Sequence, residues 1–379
     1  MILSTYGSFN EHKHYRSIYL DFSKAFDTIC HEILLKKIEH MGFRGPIHKW
    51  ITSYLTNRNQ FVSIGSASSN LLDIKMGVPQ GSTLGPLLFI LYINDMSNPL
   101  STLKAIHFAD DSTLHLSLNK NENIAPQVNS ELAIINTWLV SNKLYLNIGK
   151  TKYMIFNARD NPLDIPLLIG NSPIERTHVK KFLGIYIDDR LTFGDHVNKI
   201  CTKMSRSVGI MRRLRTFLPR DVLKQLFYTL IYSRFTYGII CYGSAYQNQI
   251  QRVKKVINRS LKLVFSTTNL TPELLKRERI LDFDLTYRYF CTIKMYKILR
   301  LNSHESLALK INAFQTNHTH ETRGVTNQNL RFQRANLTKF QYSFLYRGIN
   351  FWNGTPLDLR NIPEDVNTFK RLLKLFLLS

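Results

Sequence analysis

The spacing of apolar residues changes near residue 190, and this change divides the chain into two kinds of structure. Before it, short segments alternate between apolar and polar residues, as strands with one buried face do, and helical segments lie between them. After it, apolar residues recur at helical spacing, for example over residues 197–214 and 222–232, and strand signals fade. The sequence therefore predicts an α+β layer, with helices on one face of an antiparallel sheet, followed by a mainly helical region.

The α+β part contains a predicted β-hairpin with two adjacent acids at its tip. Residues 103–108 and 113–118 form its arms, because leucines alternate with polar residues in the second arm. Asp110 and Asp111 lie between the arms, and a third acid, Asp21, ends an alternating segment earlier in the chain. In a central sheet these three acids can converge.

The same patterns predict the other elements of this part. The predicted strands are residues 16–22, 61–64, 71–76, 153–156 and 182–187, and the predicted helices follow residue 28, cover 83–95 as a buried helix and cover 131–139. The order of strand, helix, hairpin, helix and strand places a domain boundary near residue 190.

The positive charge of the chain lies almost entirely in its second half. The formal net charge is +23. Residues 1–190 hold 19 Lys and Arg against 16 Asp and Glu, a net of +3, and residues 191–379 hold 31 against 11, a net of +20. A region with such an excess of positive charge usually binds a polyanion, although a basic surface can also serve solubility alone.

The carboxylates of the three acids are chemically suited to act as metal ligands. Clustered carboxylates repel one another unless a cation lies between them. Mg²⁺ takes carboxylates together with substrate phosphates, and two such ions can activate an attacking 3′-hydroxyl and stabilise a leaving pyrophosphate. An Asp-Asp pair alone is more often a solvated turn. The hairpin and the third acid favour nucleotidyl transfer without settling it.

Six segments in order resemble the sequence motifs of non-LTR (LINE-type) retrotransposon reverse transcriptases. The matching segments are residues 19–27 (YLDFSKAFD, motif A), 54–62 (YLTNRNQFV), 77–89 (GVPQGSTLGPLLF, motif B) continued by 92–95 (YIND), 108–111 (FADD, motif C), 146–152 (LNIGKTK, motif D) and 182–188 (FLGIYID, motif E, the primer grip). The resemblance is weaker from residue 212 onward and closes with FWNGTP at 351–356 and FKRLLK at 369–374.

The resemblance implies a right-hand polymerase palm followed by a basic, mainly helical thumb and C-terminal region. We expect a short N-terminal remnant at 1–14, a palm at 15–190, a thumb-like region at 191–290 and a C-terminal retrotransposon region at 291–379. The implied partners are an RNA template, a DNA primer and dNTPs, with no membrane, and the implied cofactor is a pair of Mg²⁺ ions, with Mn²⁺ as a substitute.

The resemblance also implies catalytic and metal-binding residues. Asp21 and Asp110 are the expected metal ligands, and Asp111 completes the acidic cluster. The backbone of Phe22 is expected near a metal or the triphosphate. Lys150 is the candidate general acid for pyrophosphate, although a solvated lysine is an equal alternative.

Further roles concern the nucleotide and the nucleic acid. Phe26 is the expected steric gate against a ribose 2′-hydroxyl, or else a core aromatic residue. Gln80 is expected to hydrogen-bond the incoming nucleotide, and Gly81 to allow close backbone approach. In the basic half, phosphate contacts are expected from three arginines: Arg212, Arg213 and Arg215.

The chain departs from the family before motif A. Family members carry a fingers region there, whereas about 15 residues precede the first predicted strand, as in an N-terminally truncated copy. Fingers residues grip the triphosphate, so we expect RNA-templated DNA synthesis by this chain alone to be weak or absent.

Two alternatives to a polymerase remain open at this point. One is a catalytically silent, nucleic-acid-binding remnant of a retrotransposon, and the other is a maturase-like RNA-binding protein. The N-terminus has no apolar signal-peptide core, and the longest apolar run is far too short to span a bilayer. We therefore expect an intracellular protein of the nucleus or cytoplasm, not a secreted one.

Overall fold

The chain forms two compact units. The structure is a computed structural model that describes residues 1–119, 125–156, 166–303, 307–308, 311, 329–363 and 365–379. The first unit comprises Met1 and Lys13–His178, and the second comprises Ile2–His12 and Val179–Ser379.

The first unit combines short helices with a sheet. Its helices are α2 (His31–His40), α3 (Pro46–Leu55), α4 (Leu84–Ile93) and α5 (Ala125–Ser141). Its strands are β1 (His14–Asp21), β2 (Asn59–Gln60), β3 (Ser63–Ile64), β4 (Ala67–Ser68), β5 (Leu72–Asp73), β6 (Lys104–Phe108), β7 (Asp111–Leu118), β8 (Lys152–Phe156), β9 (Leu168–Ile169), β10 (Ser172–Pro173) and β11 (Glu175–Arg176).

A five-stranded sheet with the order β11-β8-β1-β7-β6 organises this unit. Strand β1 is central and runs antiparallel to β7 and β8, β6 runs antiparallel to β7, and only β11 is parallel to its neighbour. Ile18 and Leu114 face each other across β1 and β7 and join one core with Leu34 of α2, Phe89 of α4 and Ile135 of α5. The sheet is therefore covered on this face by helices, because alternation along each strand turns one row of apolar side chains toward them.

The segment between α3 and α4 is an exposed two-stranded ribbon. β2 pairs with β5 and β3 pairs with β4, in place of the two longer strands predicted at 61–64 and 71–76. Every residue in these four strands is exposed. The apolar residues of this segment indicated strands. Their exposure in the described structure could not be predicted from the composition of the segment.

Helix α4 is buried on one side only, so the prediction of a buried helix over 83–95 is wrong in part. Phe89 and Tyr92 are fully buried, whereas Leu87 and Ile90 are 52% and 46% exposed. The residues of this helix are apolar on all of its sides, so the sequence does not indicate which side faces solvent.

The second unit is mainly helical. Its strands are β12 (Val179–Phe182) and β13 (Ile185–Asp188), and its helices are α1 (Ile2–Asn10), α6 (Gly194–Leu214), α7 (Arg220–Phe227), α8 (Ser233–Thr236), α9 (Ile239–Tyr242), α10 (Gln247–Phe265), α11 (Pro272–Arg277), α12 (Phe283–Leu301), α13 (Phe344–Asn353), α14 (Leu357–Arg360) and α15 (Val366–Leu378). A π-helical turn (Tyr228–Tyr232) joins α7 to α8, and a 3₁₀ turn (Thr338–Tyr342) precedes α13. Among the described helices of either unit, none is long and apolar enough to cross a lipid bilayer.

The segment predicted as one strand at 182–187 is instead a hairpin. Strands β12 and β13 pair with each other through a turn at Leu183 and Gly184, whose φ angles are +44° and +80°. Two residues with positive φ make the tight reversal of a two-residue hairpin. The prediction of a continuous strand is wrong because leucine gives no sequence sign of such a conformation.

The division between the units falls at His178 and Val179, earlier than the boundary expected near residue 190. Strands β12 and β13 pair with each other and not with the five-stranded sheet. They pack instead beside α6, where the Tyr186 backbone N–H donates to His196 Nδ1 at 3.5 Å. The predicted regions 191–290 and 291–379 lie in one unit, and the ring of Tyr287 in α12 meets Phe351 of α13 edge-on at 5.6 Å across the expected boundary.

Candidate active site

Two strand ends bring acids together at one edge of the sheet. Asp21 is the last residue of β1 and lies directly opposite Asp111, the first residue of β7. Asp110 occupies the two-residue turn before it, together with Ala109, whose φ is +50°. Because side chains alternate along a strand, Asp21 and Asp111 project from the face opposite the one covered by α2, α4 and α5.

These acids have the right chemistry for a hard cation. Asp110 and Asp111 are exposed and Asp21 is half-exposed, so their carboxylates are accessible to ions and substrate. Carboxylate oxygens are the ligands that Mg²⁺ prefers. Among the residues that the structure describes, no three His, Cys, Asp or Glu side chains are already grouped tightly enough to hold a metal. The donor type and the register fit a metal site.

The segment that resembles motif D is joined to the end of β1 by backbone hydrogen bonds. The Ser23 N–H donates to the Tyr145 carbonyl and the Asn147 N–H donates to the Asp21 carbonyl, each at 2.8 Å. The Asp21 N–H donates to Thr151 Oγ1 at 3.2 Å. These bonds fix both ends of the turn that carries the exposed Lys150. They place the candidate general acid in the chain segment next to the first acid.

The segments that resemble motifs A and B are joined in the same way. The Val78 N–H donates to the Phe26 carbonyl and the Gly77 N–H donates to the Ile29 carbonyl, each at 2.8 Å. Gly77 has a φ of +87°, and a Cβ there would lie 2.9 Å from the Asp27 carbonyl oxygen. Only glycine permits this approach, which brings the loop containing Gln80 against the end of motif A.

Aromatic packing fixes the residues that flank the acids. Phe26 is half-buried, and its ring lies 5.0 Å from the ring of Phe89 in α4. Phe22 is buried and meets the same ring edge-on at 6.1 Å. Phe26 therefore packs on the core, and its partial exposure leaves its role as a steric gate a prediction.

The loop after Gly77 keeps open space where the nucleotide is expected. Gly81 has a φ of +81°, and nothing lies within 4 Å of the position of a Cβ. Ser82 Oγ donates to the Pro79 carbonyl at 2.7 Å and accepts from the Gly85 N–H at 3.0 Å, which leads the loop into α4. The exposed Gln80 donates from Nε2 to Asp27 Oδ1 at 2.7 Å.

Sequence reasoning missed two residues of this junction. The carboxylate of Asp27 binds the Gln80 amide, a contact between positions 53 residues apart. His31 donates from Nε2 to the Gly77 carbonyl at 2.6 Å.

In the second unit, the three arginines expected to contact nucleic acid are all exposed. Arg212 and Arg213 end helix α6 and Arg215 caps it. Sequence reasoning missed seven other exposed cations, which lie in two rows at helical spacing. The row on α6 consists of Lys199, Lys203 and Arg206 together with the expected Arg213, and the row on α10 consists of Arg252, Lys255, Arg259 and Lys262. We call these the α6 row and the α10 row.

A polar groove lies between the two helices. It has a volume of about 650 Å³, and its lining includes Arg206 of the α6 row and Arg252 of the α10 row, together with Asn198, Thr202 and Ser205. Guanidinium groups and hydroxyl or amide donors in one groove are the groups that contact phosphate oxygens. This surface of the second unit can therefore accept an anionic backbone.

Comparison with known proteins shows which proteins this chain resembles. A family model described as reverse transcriptase (RNA-dependent DNA polymerase) matches residues 5–187. The probable RNA-directed DNA polymerase from transposon BS of Drosophila melanogaster is 28% identical over 272 residues, covering 68% of this chain and 30% of the relative. That of the X-element, from the same organism, is 29% identical over 271 residues, covering 69% and 29%. The chain thus spans about 30% of the length of these curated relatives.

A solved structure of telomerase from Candida albicans, in complex with a TWJ fragment of telomeric RNA, is 14% identical, with a TM-score of 0.35 over 82% of this chain and 52% of that chain. At this TM-score the likeness does not indicate a shared arrangement. The sequence comparisons do agree with one another, since the family model and the curated relatives describe the same kind of enzyme. Residues 5–187, just under half of the chain, therefore match the reverse transcriptase family, and the chain is similar to RNA-directed DNA polymerases of non-LTR (LINE-type) retrotransposons.

Proposed function

We propose that the first unit is a polymerase palm that performs RNA-templated DNA synthesis, joining a dNTP to a primer 3′-hydroxyl. The observation that carries this proposal is the register of β1 and β7, which sets Asp21 opposite Asp111 with Asp110 beside it. The hydrogen bonds from Asn147 and Thr151 to the end of β1 support it, because they hold Lys150 in the adjoining turn.

Two Mg²⁺ ions, or Mn²⁺ in their place, would be held by Asp21, Asp110 and Asp111, with the backbone carbonyl of Phe22 near one of them. When bound, these ions supply charge compensation for the attacking hydroxyl and the leaving pyrophosphate. The protein contributes the oxygen donors and the strand ends that bring them together. The ammonium group of Lys150 would give a proton to the leaving pyrophosphate.

The incoming nucleotide would lie between the segments joined at Gly77. The amide of Gln80 would hydrogen-bond it, and Gly81, with open space around its α-carbon, would allow the backbone to approach closely. The ring of Phe26, held against Phe89, would fill the space that a 2′-hydroxyl needs, and so favour dNTPs over rNTPs by exclusion.

The second unit would act as the thumb and C-terminal region that holds template and primer. The exposed arginines at the end of α6 and the α6 and α10 rows support this role. Cations at helical spacing on two packed helices match the requirement for contacts to successive phosphates. These contacts would be insensitive to base sequence.

A second candidate function is nucleic-acid binding without catalysis. The observation in its favour is that the cations of the second unit are exposed. The two functions differ in a single measurable respect, which is incorporation of nucleotides.

Primer extension on an RNA template separates the two candidates. The chain is compared, in Mg²⁺ and in Mn²⁺, with an Asp110→Ala/Asp111→Ala variant and with a Glu39→Ala/Asp195→Ala variant that removes two exposed acids elsewhere. We expect weak extension that falls at least about a hundredfold in the first variant, the equivalent of a few kcal/mol of transition-state stabilisation. It should be unchanged in the second. No extension by any protein, with salt-sensitive binding of template–primer by all three, would establish the binding function instead.

A further inference from the structure

The junction of motifs A and B is held by four hydrogen bonds in addition to the close approach at Gly77. Two are backbone bonds, from Gly77 to Ile29 and from Val78 to Phe26. The other two come from side chains, between Gln80 and Asp27 and between His31 and the Gly77 carbonyl. The bond from Gly77 to Ile29 is part of an antiparallel bridge that pairs Cys30 with Met76. These contacts hold the motif B loop firmly against the end of motif A.

The side-chain bond of Gln80 fixes the orientation of its amide. An ionised aspartate only accepts hydrogen bonds, so the NH₂ end of the amide must face Asp27. The carbonyl end, Oε1, is then left as an acceptor directed away from Asp27. Both residues are exposed, so the bond joins two side chains on the open side of the loop.

The bond of His31 acts on the loop backbone rather than on a side chain. A carbonyl oxygen accepts, so Nε2 of His31 carries the proton in this bond, and the ring is buried. His31 is the first residue of α2, and Leu34, one turn further, belongs to the core of the sheet. The loop is thus anchored to the helix layer at Gly77 and to motif A at Gln80.

From this arrangement we infer that Asp27 is a positioning residue for the nucleotide site: it presets the Gln80 amide, so that Gln80 and Phe26 act on the nucleotide as one rigid unit. This inference rests on the proposed function, in which Gln80 and Phe26 contact the incoming dNTP. Asp27 itself does not touch the nucleotide. With Asn at this position, either end of the amide of residue 27 can face Gln80, and the orientation of Gln80 is no longer determined.

The proposal predicts a specific coupling between two exposed side chains. The probe is labelled dTTP, bound in Mg²⁺ to the full chain on a poly(rA) template with a dideoxy-terminated oligo(dT) primer, so that no turnover is needed. Asp27→Ala, Asp27→Asn and Gln80→Ala should each weaken binding by about fivefold, the effect of one hydrogen bond. The double variant Asp27→Ala/Gln80→Ala should lose no more than Gln80→Ala alone. Glu39→Gln, an exposed acid on α2, is the control and should bind as the unaltered chain does.

A second measurement reads the position of Gln80 without any nucleotide. In protein labelled with ¹⁵N at glutamine side chains, the resonance that Gln80→Ala removes identifies the Gln80 amide. That resonance should shift in Asp27→Asn and stay in place in Glu39→Gln. The inference would be overturned if the losses of dTTP affinity in the two single variants multiplied in the double variant. It would also be overturned if the Gln80 resonance did not move in Asp27→Asn. If the unaltered chain binds no dTTP, the proposed function fails, and the Gln80 resonance alone still decides whether Asp27 holds the amide.

Discussion

Two glycines in the loop of motif B differ in what surrounds them, although both have positive φ angles. A Cβ at Gly77 would lie 2.9 Å from the Asp27 carbonyl oxygen, whereas a Cβ at Gly81 would meet nothing within 4 Å. Alanine at Gly81 therefore incurs only the cost of a left-handed conformation, about 1–2 kcal/mol. Alanine at Gly77 incurs that cost and must also push two backbone segments apart.

We therefore expect Gly77→Ala to destabilise the first unit by about 1–3 kcal/mol more than Gly81→Ala, in the range of overpacking. The measurement is the urea concentration at the midpoint of unfolding for both variants. Equal destabilisation would mean that the two segments do not approach each other as closely as the structure has them.

Glu131 is a buried carboxylate in α5 that holds the chain before β6. It accepts hydrogen bonds from the backbone N–H groups of Ser101, Thr102 and Leu103 and from the Ser101 hydroxyl, at 2.7–3.1 Å. Burial opposes its ionisation, but these donors outweigh burial and lower the pKa of Glu131. Its contribution to stability is therefore present above the unfolded-state pKa of about 4.3 and is lost as the pH falls through the folded-state pKa.

Glu131→Gln should accelerate amide hydrogen exchange of Ser101, Thr102 and Leu103 at neutral pH. The NH₂ end of glutamine would face backbone donors, a loss of about 1.5–3 kcal/mol, or on the order of a ten- to hundredfold change in exchange. The difference from the unaltered chain should shrink only as the pH falls through the lowered folded-state pKa of Glu131, where this carboxylate also becomes protonated. Glu39→Gln, which alters an exposed acid, should leave this segment unchanged; a difference that persists in acid would contradict the role of the charge.

At the residue scale, the sequence predicted acids at adjoining strand ends because each motif is contiguous and strand alternation is local. The bond between Asp27 and Gln80 spans 53 residues, and no local pattern reveals it. The roles of the individual site residues stay predictions, since geometry brings these residues together without assigning chemistry to them.

At the scale of elements, the hairpin β12–β13 depends on a contact from a helix terminus. Leu183 and Gly184 both have positive φ, and leucine adopts such a conformation at a cost. The hydroxyl of Tyr237 donates to the Leu183 carbonyl at 2.7 Å. Its ring packs against Gly184, because a Cβ on that glycine would lie only 2.9 Å from the nearest ring carbon. Tyr237 therefore holds the turn in place from the end of α8.

Tyr237→Phe should loosen this hairpin by about 1 kcal/mol, the value of one ordinary hydrogen bond. The ring is kept, so only the bond to Leu183 is lost. Hydrogen exchange of the strands Val179–Phe182 and Ile185–Asp188 would rise about fivefold, whereas Tyr145→Phe, at an exposed tyrosine of the first unit, would not alter it. Unchanged protection in Tyr237→Phe would show that the turn holds without this contact.

The elements that the sequence predicted well are those with one buried and one exposed face. Strand β1, the arms of the hairpin β6–β7 and helix α5 were confirmed because burial on one side writes a period of two or 3.6 residues into the sequence. Helix α4 was also confirmed as a helix, but its burial on all sides was wrong, and the hairpin β12–β13 was predicted as a single strand. Helix α4 has apolar residues on all of its sides, so the sequence shows no period for a buried face. The hairpin β12–β13 turns at Leu183, whose conformation depends on a contact from Tyr237.

At the scale of the whole molecule, the charge asymmetry of the sequence takes a definite form in the structure. The net charge of +20 in residues 191–379 includes the α6 and α10 rows, which composition alone could not locate. α10 carries no acidic residue, so the phosphates of a bound backbone meet no opposing charge on that helix. The division of the chain at His178 and Val179 was likewise not predictable, since it depends on which strands pair.

Removal of the α10 row tests whether this surface neutralises phosphates. Binding of template–primer by the variant Arg252→Gln/Lys255→Gln/Arg259→Gln/Lys262→Gln should weaken and depend less on salt. Each phosphate contact contributes about 0.7–0.9 to the slope of log Kd against log salt concentration, so the slope should fall by about three to four. A control variant with the same loss of charge in the same unit, Arg277→Gln/Arg279→Gln/Arg334→Gln/Arg371→Gln, should change the slope by less than about one. Equal changes in both variants would mean that net charge, and not the row on α10, attracts the nucleic acid.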